Sequence, residues 1–248
     1  MVDTIMSGDL KLAAHFARPP GSVPVPGVVL CHGFPIGPRG AATSAATYFE
    51  LVDRITRDTG WAALAFHFRG CGTSEGDFSV DGWLADIGAA VGALDDRHDV
   101  RGIWLVGVGE GGMFAVCAAA DDARVRGVAT LGAPITFGDS AREPGRLLQY
   151  ARDAGMITTP DSPSDVAAWN RAVTQLDAVK AAHRLPPRPL LVLHGSDDQE
   201  VLVDEARALA DAARPFSELC VVHAGGHRLR HDPRAIAALL GWLDRQAR

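Results

Sequence analysis

The 248-residue sequence has little of what marks several functional classes. Its four cysteines, Cys31, Cys71, Cys117 and Cys220, are scattered with no metal-ligand spacing. That pattern excludes a zinc module and a disulfide framework, and it suits reduced thiols in a cytoplasmic protein. A contact between Cys31 and Cys71 is open if both follow neighbouring strands. There is no excess of basic residues: the net charge is −6 and the pI about 5.8, so no nucleic-acid footprint is visible. No apolar run approaches the length of a membrane span, and the first residues lack the apolar core of a signal peptide. Internal repeats and low-complexity tracts are absent as well. What is present is a chain 47% hydrophobic and long enough for one large α/β domain with a sizeable core.

Along the chain, short apolar runs alternate with amphipathic stretches of ten or more residues. Residues 3–18 hold two weak strand signals around the Ser7-Gly8-Asp9 turn and fit an edge hairpin. Strands are expected at 27–31, 62–67, 103–108, 126–131, 190–194 and 218–222. The run Gly27-Val28-Val29-Leu30-Cys31 is apolar throughout, as a strand buried on both faces of a parallel sheet should be. Helices are expected at about 44–57, 81–97, 201–213 and 233–246. The rhythm breaks at 137–185, where helical pieces at 144–154 and 164–182 flank Thr158-Thr159-Pro160-Asp161-Ser162-Pro163. This stretch is too short to bury its own core, so it reads as a lid inserted into a core of 1–136 and 186–248. Strand and helix alternation argues for a doubly wound, mostly parallel sheet.

The organising stretch is Ile103–Val116, an apolar run, four glycines and an apolar segment. Strand, glycine turn and helix are the setting of a nucleophile elbow, where G-x-S-x-G puts a serine on a strained turn. Here the frame is Gly107-Val108-Gly109-Glu110-Gly111, so Gly109 stands where that pattern has its serine.

Four further segments carry a resemblance. Leu30-Cys31-His32-Gly33-Phe34, Phe68-Arg69-Gly70-Cys71-Gly72-Thr73-Ser74-Glu75-Gly76, Leu193-His194-Gly195-Ser196-Asp197-Asp198 and Ala224-Gly225-Gly226-His227 follow strand ends in turn. Together with the elbow frame they resemble the α/β-hydrolase superfamily, nearest its small-lid esterase and serine-aminopeptidase-like branch. The resemblance implies that fold, a triad acid at Asp198, a triad histidine at His227, and oxyanion donors at the backbone N–H groups of Phe34 and Glu110. It implies no cofactor and no metal, and a small acyl or ester-like ligand, with neither nucleic acid nor membrane as partner.

Each residue also has a plainer reading. Glycine at 109 relieves a turn that strains any residue with a Cβ. His227 could be an ordinary loop histidine. His223, His227 and His231 have the spacing of metal ligands on a helix, but Gly225-Gly226 argues for a loop. Asp197 and Glu200 compete with Asp198 for the acid role. The Glu110 side chain is either a helix N-terminal carboxylate stabilised by the macrodipole or a replacement acid or base. Ser74, Cys31 and Cys71 are candidates for a displaced nucleophile. Two functions follow: an enzyme of hydrolase descent using an Asp198–His227 dyad with water, or a pseudoenzyme that binds a ligand or partner. With no nucleophile at 109, covalent serine-hydrolase activity is expected to be absent.

Overall fold

The computed structural model describes residues 3–43 and 47–247. Eight strands form one sheet: β1 (Asp3–Ser7), β2 (Leu10–Ala17), β3 (Val25–Cys31), β4 (Ala62–Phe66), β5 (Val100–Val108), β6 (Val125–Leu131), β7 (Leu190–Gly195) and β8 (Ser217–Val222). Their order is β1-β2-β4-β3-β5-β6-β7-β8. Only the β1–β2 and β2–β4 pairs are antiparallel, so the expected edge hairpin caps an otherwise parallel sheet. The apolar character of β3, β4 and β7 follows from burial on both faces: nearly every residue in them is buried. Pro26 lies inside β3 beside a register shift at Val25/Gly27, where a missing N–H costs least.

Two helices, α1 (Tyr48–Thr59) and α9 (Pro233–Gln246), cover one face. The apolar stripe of α1 buries Tyr48, Val52 and Ile55, and the helix stops at Gly60, which is left-handed with φ 72°. The segment expected to begin this helix, 44–46, lies outside the described residues. The N-cap of α9 is Asp232, whose carboxylate accepts the Arg234 N–H, with proline in the first turn. The other face carries α2 (Val80–Asp95), α3 (Glu110–Asp121) and α8 (Val203–Ala212).

Between β6 and β7 run α4 (Asp139–Arg142), α5 (Pro144–Asp153), α6 (Val166–Gln175) and α7 (Ala178–Ala182). The helical signal at 164–182 is thus two helices. The Asp177 carboxylate accepts the Lys180 N–H and starts α7 anew, since a short acidic side chain competes for backbone donors and favours a cap. This stretch is tied to the core by backbone bonds from Arg39 N to Asp153 O, Ala41 N to Ala154 O and Phe78 N to Met156 O, each 2.9 Å. Among the described residues no helix is long and apolar enough to cross a membrane.

Candidate active site

The turn between β5 and α3 is built for close approach. A Cβ on Gly107 would stand 2.3 Å from the Gly112 Cα, and one on Gly111 would stand 2.3 Å from the His32 carbonyl oxygen. Only glycine fits either place. Gly109 has φ 55° and ψ −133°, its N–H donates to the Leu131 carbonyl at 2.9 Å, and its own carbonyl accepts the Gly112 N–H. The surroundings of Gly109 are open by contrast. A Cβ there would meet nothing nearer than the Gly33 Cα at 3.7 Å and the His227 Nε2 at 4.0 Å. The demand for glycine at 109 is therefore conformational and not spatial.

His227 sits on the loop after β8, half-buried. Its Nδ1 is 2.9 Å from Asp198 Oδ2, while Asp198 Oδ1 accepts the N–H groups of Glu200 at 2.9 Å and Val201 at 3.0 Å. Three bonds to one buried carboxylate fix its orientation, and the carboxylate in turn holds the Nδ1 proton of His227. The Nε2 lone pair then faces the space above Gly109. Of the three acid candidates, Asp198 meets Nδ1, Asp197 accepts from Ser196 Oγ, and Glu200 stands with its Oε2 3.8 Å from His227 Nε2. The β7 and β8 loops are stitched together by Ala224 N to Ser196 Oγ and by Asp197 N to the Gly225 carbonyl.

On the opposite side, His32 is fully buried, and burial pushes its imidazole down to about 3, so the ring is neutral. Its Nδ1–H donates to the Gly33 carbonyl at 2.7 Å and its Nε2 accepts the Phe68 N–H at 3.1 Å. The Phe34 ring is fixed edge-on against Trp83 and Phe78, with centroids 5.0 and 5.1 Å away. The Phe34 N–H is thereby held in place, but it is not free. It donates to Glu110 Oε2 at 3.0 Å. The carboxylate at the start of α3 folds back onto the amide that the resemblance gave as an oxyanion donor, and a charge-assisted bond competes with any incoming anion. The Glu110 N–H opens α3, where the first amides have no partner within the helix.

Two lobes of one pocket meet at this point. A lobe of about 510 Å³ is lined by apolar groups that include Pro134, Phe137, Leu147 and Val201. A lobe of about 330 Å³ is lined by Gly109, Tyr48, Arg228 and Arg230. Phe34, Glu110, Tyr150, Glu200 and His227 line both. Tyr150 OH donates to the Pro35 carbonyl, closing one wall.

The candidates for a displaced nucleophile lie elsewhere. Ser74 Oγ donates to the His67 carbonyl at 2.7 Å and accepts the Ala13 N–H, which joins its loop to β2. Cys31 is buried, and burial pushes its thiol far up. Cys71 is buried too, and none of the three lines the pocket. Among the described residues no three histidine, cysteine or carboxylate side chains are grouped to hold a metal ion. Sequence reasoning passed over His194, which is fully buried with Nε2 3.0 Å from the Val201 carbonyl and 3.7 Å from Asp198 Oδ2. Its position two residues before Ser196, at the end of a buried strand, was the available signal.

The profile of the α/β hydrolase fold matches residues 26–154, more than half of the sequence. The chain belongs to that family. Solved α/β-hydrolase structures superpose over nearly all of it. The ferulic-acid-bound Est1E of Butyrivibrio proteoclasticus aligns with a TM-score of 0.75 and 19% identity, covering 99% of this chain and 98% of that one. The α/β hydrolase GrgF of Penicillium sp. sh18 gives 0.75 and 18%, covering 100% and 98%. The Pyrococcus furiosus esterase Pf2001 gives 0.72 and 20%, covering 99% and 91%. At these identities the likeness is one of fold. No curated protein matches at significance.

Proposed function

We propose that this α/β hydrolase takes a small acyl or ester-like compound in its pocket and acts on it without a covalent intermediate. His227, oriented by Asp198, would serve as general base. A water would give a proton to Nε2 while its oxygen bonds to the acyl carbon and the carbonyl pair moves onto oxygen. On collapse, the leaving alkoxide would take the proton back from Nε2. The observation that carries this reading is the 2.9 Å bond from Nδ1 to Asp198, with Nε2 facing the empty place above Gly109. The stretch 137–185 acts as the lid of the pocket, a reading supported by Phe137, Leu147 and Tyr150 along its walls. Four cysteines scattered without metal-ligand spacing fit a cytoplasmic setting. The test is a screen of chromogenic esters of varied chain length against the protein, Asp198→Asn and His227→Ala. Slow hydrolysis lost in both variants is expected; turnover indifferent to both contradicts the dyad.

A second reading, a ligand-binding pseudoenzyme, is favoured by one observation. The Glu110 carboxylate occupies the Phe34 N–H. Loss of a single oxyanion donor costs about 10²–10³ in rate, and an anion in its place opposes a developing oxyanion further. Saturable binding of an ester with no turnover, measured by calorimetry, supports this reading.

A further inference from the structure

Arginines elsewhere in the chain mostly lie against carboxylates. Arg69 meets Asp86 at 2.7 Å and Arg234 meets Asp232 at 2.6 Å. Arg228 and Arg230 differ. Both line the smaller lobe with Gly109 and His227, and among the described residues neither forms an ion pair. Arg230 is held in position by other means: its guanidinium donates to Thr47 Oγ1 and lies 5.1 Å over the Tyr48 ring. Buried Leu229 between the two anchors the loop beneath them. Neither of the lobe's two carboxylates is ion-paired to them among the described residues: Glu110 accepts the Phe34 N–H, and Glu200 lies 3.8 Å from His227 Nε2. The field of the two charges reaches their neighbour. His231 is held below its ordinary value by burial, and by Arg230 and Arg228 in addition.

We propose that Arg228 and Arg230 form an anion subsite, so that the ligand of this pocket carries an acid group, carboxylate or phosphate, on the side that enters the smaller lobe. A planar guanidinium presents paired N–H donors that match either group. Because Arg228 follows His227 directly in the chain, an acid group bound there sits beside the dyad, and the uncharged part of the ligand extends into the apolar lobe. The inference rests on the acyl-ligand reading only for what that uncharged part is.

The test is a calorimetric titration with monomethyl succinate, dimethyl succinate, succinate and inorganic phosphate. Saturable binding of monomethyl succinate is expected, with the neutral dimethyl ester weaker by about tenfold or more, as befits loss of a charge-assisted hydrogen bond. Added salt should weaken the anions and leave the neutral ester unaffected. Succinate against phosphate identifies which acid group fits. Arg228→Gln, at an exposed side chain, should weaken the anions alone, and Arg228→Gln with Arg230→Gln should remove their binding. His227→Ala should leave anion binding intact while ending any turnover, so failure of the dyad and failure of the subsite are read separately. Equal binding of neutral and anionic esters, indifference to Arg228→Gln, or no saturable binding of any acid would overturn the subsite.

Discussion

On the β7–β8 side of the pocket, Asp198 and His227 are joined at 2.9 Å, and the carboxylate is fixed by two further backbone donors. On the β3–β5 side, the turn keeps the backbone of a nucleophile elbow but offers no side chain at Gly109, and the Phe34 amide is taken by Glu110. One side holds an imidazole oriented by a buried carboxylate; the other presents no side chain at position 109 and a carboxylate bonded to the Phe34 amide. The difference teaches that a catalytic scaffold is held by its backbone. Gly107, Gly111 and Gly112 preserve the turn through steric need whether or not position 109 reacts.

The largest effect should come from attacking that backbone. Gly111→Ala drives a Cβ to within 2.3 Å of the His32 carbonyl oxygen, and overpacking against main chain costs about 3 kcal/mol or more. Loss of cooperative folding by calorimetry is the expected result, and a folded variant of unchanged Tm would break the steric account. Next in size is acid. The folded pKa of His32 is pushed by burial to about 3, below the unfolded value near 6.5. The unfolded state therefore binds the extra proton first. Its contribution is complete above about pH 6.5 and falls by about 1.4 kcal/mol per unit as pH drops toward 3. Denaturant titrations across that window measure the slope, which a substitution of His32 by a neutral isostere should flatten.

Smaller effects separate the two halves. Gly109→Ser keeps φ at 55° with a Cβ that has room, so it should cost about 1–3 kcal/mol of strain, visible as a lowered Tm, with the fold kept. Glu110→Ala removes a carboxylate from the first turn of α3, worth about 0.3–1 kcal/mol. The same change frees the Phe34 amide, whose exchange with solvent hydrogen should quicken.

Most of the architecture could be read from residue pattern. The apolar runs of β3, β4, β6 and β7 and the closing helix 233–246 lie where periodicity put them, because a strand buried on both faces leaves a continuous apolar signature. β5 begins at Val100, earlier than expected, because its first residues alternate in burial and include Gly102 at positive φ. The division of 164–182 at Asp177 turned on one side-chain cap, a local bond that hydrophobic spacing does not report. In the site, the meeting of Gly109, Asp198 and His227 was legible only through the resemblance to the family, whose order of elbow, acid and histidine the chain keeps. The fold-back of Glu110 onto Phe34 could not be read, because it joins residues 76 apart through a rotamer choice. Nor could the convergence of Arg228 and Arg230 on the lobe that holds Gly109 and His227.

The proposed function reads His227 and Asp198 as a dyad over a position without a nucleophile, with Glu110 on the Phe34 amide proposed as oxyanion donor. Fluorophosphonate labelling tests this most directly, since the probe reacts only with an activated nucleophile. The wild-type chain should remain unlabelled. Gly109→Ser should label slowly, and Gly109→Ser with Glu110→Ala should label stoichiometrically at position 109, faster by about the 10²–10³ attributed to one oxyanion donor. Addition of His227→Ala should abolish the reaction. A folded double variant that stays unlabelled, or one that labels equally well without His227, would contradict the account.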